Sequence, residues 1–149
     1  MGRASVRMSG EVTKSVLIAA PAAVIFRALT DEEELVQWLP RSAKMDARVG
    51  GEYRFVFYMA TKNSETTAVG KILELSPNRK LVYTFASSRD PPSSPPSVLT
   101  WTLEEGSDGK TLVTLVHSGF VGDSYRDLLA WGYYVDRLVA HCQRMQLRD

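Results

Sequence analysis

The sequence predicts an α+β domain in which a curved antiparallel β-sheet wraps around one long C-terminal α-helix, with two short helices after the first strand. Three observations lead there. From Glu52 to Phe120, runs with two-residue apolar alternation follow one another at hairpin spacing with no helical pattern between them, as consecutive antiparallel strands require. The C-terminal segment instead places Leu128, Trp131, Val135, Leu138, Cys142 and Met145 at alternating three- and four-residue steps, one apolar stripe on one helix. A lone amphipathic helix must bury that stripe, and the apolar face of the sheet is the surface available to it.

The elements follow in order. Met1 to Gly10 is small, polar and basic without a period and reads as a flexible tail, so the domain is expected to span residues 11–149. Val12 to Ala19 is rich in β-formers. Pro21 then suits the first turn of a helix through AAVIFRALT. Thr30 with Glu33 offers a capping box for a second short helix through DEEELVQWLP, which Pro40 helps to stop. Gly50 and Gly51 precede EYRFVFYMA and are best explained by a bulge or tight bend that starts a curled sheet. In that strand Tyr53, Phe55, Phe57 and Met59 share one face. TTAVGKILEL and LVYTFA follow, the second placing Leu81, Tyr83 and Phe85 together. SSRDPPSSPPS holds four of the seven prolines and cannot sit in a central strand, so residues 87–97 read as an extended loop, with a lid over a cavity mouth as the other reading. A final hairpin aligns Leu99, Trp101 and Leu103, and on its partner Val113, Leu115 and His117. Ser124 with Asp127 offers a capping box for the last helix, expected from Asp123 to Leu147.

At 149 residues with 44% apolar side chains, the chain falls in the range of one domain with one core. Its 18 basic and 17 acidic residues are interleaved, which gives no field to attract a polyanion and argues against nucleic acid as a partner. Cys142 is the single cysteine and cannot form an internal disulfide. No apolar run approaches the roughly 20 residues of a membrane span, so no membrane insertion is expected. The N-terminus has no apolar core of a secretory signal, and a cytoplasmic location is the default expectation.

The order and spacing of IAAPAAVIFRALTD, ELVQWLP, RVGGEYRFVF, VGKILELSPNRKLVYTF, VLTWTLEE, TLVTLVHSGF and AWGYYVDRL resemble the helix-grip, START-like (SRPBCC) superfamily. Within it they resemble the group named after the activator of the ninety-kilodalton heat-shock chaperone's ATPase. The resemblance covers Val12 to about Met145, and departs at Ala130, where similar chains usually carry glycine. It implies the helix-grip architecture and, as one functional alternative, a co-chaperone. It also implies a second alternative, a cyclase or hydrolase using His117 or Tyr134 as acid or base. A fold with many unrelated uses constrains function far less than architecture.

Read for chemistry, the chain offers one cysteine and two distant histidines, His117 and His141, too few converging ligands to predict a metal. Cys142 lies on the apolar stripe and reads as an inert core thiol. A phosphate-cradling glycine motif is missing, and no cofactor is predicted. Glu74 either approaches the inner wall or points to solvent. His117 shares its strand face with Val113 and Leu115, and reads either as a buried bonded imidazole or as a polar group lining a cavity. The stronger signal is collective. Trp38, Phe55, Phe57, Tyr83, Phe85, Trp101, Phe120, Trp131 and Tyr134, with His117, fall near the space between helix and sheet. Aromatics with a few polar groups are the usual lining of a small-ligand site. The expected function is therefore binding of a hydrophobic or aromatic small molecule, with Tyr134 and His117 as polar handles, by a monomer or homodimer.

Overall fold

A computed structural model of the chain describes residues 10–59, 63–91, 93–121 and 124–148. The expected tail up to Ser9 therefore lies outside the described residues, as do the side chain of Met59 and the capping box of Ser124 and Asp127. Seven strands and three helices follow the predicted order. These are β1 (Gly10–Ile18), α1 (Ala22–Thr30), α2 (Glu32–Leu35), β2 (Ser42–Met45), β3 (Glu52–Met59), β4 (Ser64–Ser76), β5 (Lys80–Ser87), β6 (Ser97–Glu105), β7 (Thr111–Phe120) and α3 (Ser124–Arg148). All pair antiparallel in one sheet of order β1-β7-β6-β5-β4-β3-β2. Only the first strand leaves sequence order, and α1, α2 and β2 carry the chain from one sheet edge to the other.

Gly10, read as the end of the tail, pairs with Phe120 as the first residue of β1, two residues before the strand expected from Val12. Pro21 sits at the N-cap of α1, extended at φ −71°, and hands the chain to the helix. The cap of α2 is Asp31 rather than Thr30: its carboxylate accepts from the Glu33 N–H, while the Thr30 hydroxyl donates back to the Phe26 carbonyl. A residue that closes one helix by bonding its own preceding turn is not available to open the next. The short strand β2 was not expected from the sequence, because four residues carry too little alternation to register.

The sheet bends at two places. At the first, Gly50 takes φ +85° and its N–H bonds the Ile72 carbonyl, while a side chain on Gly51 would meet the Asp46 carbonyl oxygen at 2.0 Å. At the second, β4 passes so close to β5 that a Cβ on Gly70 would lie 1.9 Å from the Thr84 carbonyl oxygen. Tyr53 uses this gap, its hydroxyl donating to that carbonyl at 2.6 Å, and the Lys71 N–H goes to the Thr84 side chain. The ladder between β4 and β5 shifts register just beyond, between Ile72 and Glu74. Such local disruption curls a sheet. Glu74 consequently points outward and pairs with Lys80 at 3.3 Å.

The concave face carries the predicted rows: Tyr53 and Phe55, Leu81 and Tyr83, Leu99 and Trp101, Val113 and Leu115 are all buried. Against them α3 buries Trp131, Val135, Leu138 and Cys142, whereas Leu128 is 37% exposed and Met145 half-buried. The stripe therefore begins at Trp131. Ala130 is exposed, so its methyl does not stand between this helical turn and the sheet.

Candidate functional site

The ten aromatic and imidazole side chains expected to converge meet in one ring network. Trp131, carried by α3 into the concave face, stands at its hub, with centroids 6.2 Å from Trp101, 6.1 Å from Phe85, 6.0 Å from His117 and 6.1 Å from Tyr134. Trp101 continues edge-on to Trp38 at 5.9 Å, and His117 lies 4.8 Å from Phe120. Tyr134 touches Phe57 at 5.8 Å, which leads through Phe55 and Tyr53 to Tyr83. The Trp101 indole N–H closes the circuit by donating to the Tyr83 hydroxyl at 3.1 Å. Edge-to-face pairs at such distances each contribute about 0.5–1.5 kcal/mol beyond their buried area.

The network has a closed end and an open one. Trp38, Phe55 and Trp101 are fully buried and Tyr83 nearly so. Phe57, Phe85, Phe120 and Tyr134 are half-buried, and next to them Leu128, Leu129, Tyr133 and Val121 are exposed. The less buried end thus lies toward the ends of β3, β5 and β7 and the part of α3 around Leu128 to Tyr134.

A polar relay crosses the same space. The Trp131 indole N–H donates to Nδ1 of His117 at 3.2 Å, Nε2 of His117 meets the Ser97 hydroxyl at 2.7 Å, and Ser97 donates to the Phe85 carbonyl at 3.0 Å. Tryptophan is only a donor and Ser97 has given its proton to a carbonyl, so the network assigns His117 as the neutral tautomer with hydrogen on Nε2. Both ring nitrogens are engaged with protein groups. The Tyr134 hydroxyl makes no hydrogen bond among the described residues. Burial, with a smaller contribution from Tyr133, pushes its acidity down and its pKa up, against the weaker opposite pull of Arg137. It keeps its proton and serves as a donor. Ser97 was not singled out in the sequence, where it closes the proline-rich stretch, and Tyr53 was read only as part of a strand face.

The far half of α3 is anchored differently. Arg137 Nε donates to the Trp38 carbonyl at 2.9 Å, and buried His141 bonds Glu34 of α2 at 2.6 Å. Cys142 beside them is fully buried, and burial, with Glu34 second, pushes its thiol up to about 12. No group of three or more His, Cys, Asp or Glu side chains suited to a metal exists among the described residues. A groove of about 570 Å³ lies at the Gly70 gap, lined by Lys44, Glu52, Tyr53, Arg54, Val69, Gly70 and Lys71. Four of these seven side chains are charged and exposed, and buried Tyr53 joins the groove to the aromatic interior.

Fold and interior define the class: a helix-grip protein with an aromatic interior whose rings are only half-buried at one end. The chain belongs to the family described as Activator of Hsp90 ATPase homolog 1-like protein, whose model matches residues 19–143. A solved protein from Chromobacterium violaceum is 26% identical, with 87% of this chain and 95% of that chain covered and a TM-score of 0.77. One from Mesorhizobium loti is 25% identical over 91% and 98%, with a TM-score of 0.74. The Aha1 dimer from Colwellia psychrerythraea, 20% identical over 87% and 93% with a TM-score of 0.71, shares the fold. No curated protein matches the chain. No helix among the described residues is long and apolar enough to cross a membrane.

Two outcomes follow from this geometry. Trp131→Phe keeps the ring but strands the His117 acceptor, and is expected to lower stability by about 1–3 kcal/mol in urea unfolding. Tyr134→Phe removes a hydroxyl with no protein partner and should stay within about 0.5 kcal/mol of the parent. Equal effects would mean that the relay does not hold the helix. For Cys142, the pKa raised to about 12 by burial keeps the thiol protonated at neutral and mildly alkaline pH. Because the thiolate is the nucleophile, an aromatic disulfide reagent at pH 8 should label it only after denaturation, and stoichiometric labelling of the folded protein would contradict this.

Proposed function

We propose that the chain binds a hydrophobic or aromatic small molecule between α3 and the concave face of the sheet. It does so as a single cytoplasmic domain spanning residues 11–149. The observation that carries this reading is the half-open end of an otherwise buried aromatic network, where Phe57, Phe85, Phe120 and Tyr134 leave ring surface uncovered. Partly exposed aromatic surface continuous with a buried interior offers a flat apolar body the environment it prefers. The ten side chains Trp38, Phe55, Phe57, Tyr83, Phe85, Trp101, His117, Phe120, Trp131 and Tyr134 form its surroundings. Tyr134 is the donor that remains for a ligand acceptor. His117 acts through Trp131, which it positions. The same engagement of both imidazole nitrogens weighs against a catalytic base here.

The reading is tested by titrating the protein with neutral phenylnaphthylamine, following energy transfer from tryptophan and stoichiometry by native mass spectrometry. Saturable one-to-one uptake is expected, lost in Phe57→Asp, whose charge would stand against the ring body. Tyr134→Phe should leave that probe unaffected but weaken benzophenone, which carries a carbonyl acceptor, by about five- to tenfold. A folded protein that takes up neither probe ends the proposal. Family membership favours a second reading, stimulation of the chaperone's ATPase through a surface contact. An ATPase rate unchanged by excess of this chain would remove it.

A further inference from the structure

The groove at the Gly70 gap gathers charges that lie far apart in the sequence. On β2, β3 and β4, Ala43, Met45, Tyr53, Phe55 and Ala68 are buried on the concave side, so the residues alternating with them face outward. Lys44, Glu52, Arg54, Val69 and Lys71 are those residues, all exposed, and they line the groove of about 570 Å³. Strand register sets Lys44 directly opposite Arg54, Arg54 opposite Val69, and Glu52 opposite Lys71. Lys71 is therefore the diagonal neighbour of Arg54, roughly 7–8 Å away. Three cations stand on three adjacent strands.

Like charges directly opposite one another destabilise a sheet. Among the described residues, the side chains of Lys44, Arg54 and Lys71 make no ion pair and no hydrogen bond. The nearby acids do not neutralise them. The Asp46 carboxylate is taken by Arg48 at 2.7 Å, and Glu52 stands opposite Lys71 without closing to an ion pair. The groove thus sets three cations against one carboxylate, over a floor where Gly70 adds no side chain and Val69 is 41% exposed. The chain's 18 basic and 17 acidic residues nearly cancel, so its positive field is confined to places such as this one.

We propose that this groove is a second binding site, separate from the space between α3 and the sheet, for a molecule bearing two or more phosphate groups. The Arg54 guanidinium offers a planar fork that matches one phosphate, and Lys44 beside it adds a point charge to the same group. Lys71, on the next strand, meets the second phosphate. An anion seated between Lys44 and Arg54 turns their mutual repulsion into attraction to a shared partner. Glu52 opposes that anion and restrains affinity at the Lys71 end. A patch only three strands wide suits a diphosphate unit rather than a long polyanion.

Calorimetric titration of the folded full chain with inorganic pyrophosphate at low salt should show saturable one-to-one binding that weakens as salt is raised. Arg54→Gln and Lys44→Gln should each weaken it about five- to tenfold, and Glu52→Gln should strengthen it about two- to fivefold. Lys110→Gln removes the same charge from an exposed turn elsewhere and should stay within about twofold. These four side chains are exposed, so the unliganded variants should melt with the parent. Vesicles of neutral lipid with added phosphatidylinositol bisphosphate form the second arm. Sedimentation with them that is lost in Arg54→Gln would assign the phosphates to a lipid head group, and pyrophosphate binding without sedimentation would assign them to a soluble molecule. Binding of neither, or equal weakening in Lys110→Gln and Arg54→Gln, would overturn the site.

Discussion

The hydrogen bond from the Trp131 indole to Nδ1 of His117 sets how the long helix sits on the sheet. It is the first member of a chain that runs from α3 to β7, on to Ser97 of β6 and to the Phe85 carbonyl of β5. Each of those groups is buried or half-buried, and in such surroundings a bond is stronger and a missing partner more damaging. The chain also has a single workable sense of donation, so moving the helix by one turn would break more than one bond. Ring contacts to Trp101, Phe85 and Tyr134 then follow from where Trp131 has been placed.

The two halves of α3 are held unequally. Beyond Trp131, Arg137, His141 and Gln143 bond the Trp38 carbonyl, Glu34 and the Ala19 N–H, tying the helix to the α1–α2 side of the molecule. Leu128 and Leu129 before it, and Tyr133 just after it, are exposed. Among the described residues, the helix is thus held by polar bonds toward its C-terminal half and by the Trp131 indole in its N-terminal half. Half-burial of Phe57, Phe85 and Tyr134 is the same asymmetry seen from the sheet.

Much of this was legible in the sequence because it is periodic. Two-residue alternation placed Phe55, Tyr83, Trp101 and His117 on one face, and the helical step placed Trp131, Val135, Leu138 and Cys142 on another. What escaped is what periodicity does not encode. Leu128 obeys the helical period but projects past the sheet and stays exposed. Strand β2 is too short to alternate more than once. Asp31 and Thr30 both cap well in isolation, and only the Phe26 carbonyl decides between them. His141 and Glu34 are 107 residues apart, and Ser97 looks like one more serine of a proline-rich loop. Each of these is a single polar contact made by tertiary structure, which a local pattern does not contain.

Magnitudes explain why such contacts decide function in an interior of this kind. A body the size of a naphthalene ring removes on the order of 200 Å² of apolar surface from water, about 5 kcal/mol at about 25 cal/mol per Å². Association itself costs at least about 4 kcal/mol in lost translation and rotation. Apolar contact alone therefore leaves little net affinity and discriminates poorly among ring systems of similar size. One charge-assisted hydrogen bond contributes about 1.5–3 kcal/mol, enough to separate binding from passing contact. In a core where His117, Trp131, Ser97, Trp101 and Tyr83 engage their polar atoms with one another, selectivity for the proposed ligand falls to the Tyr134 hydroxyl at the rim. On the proposed reading, the interior takes the apolar body and the rim selects which apolar bodies stay.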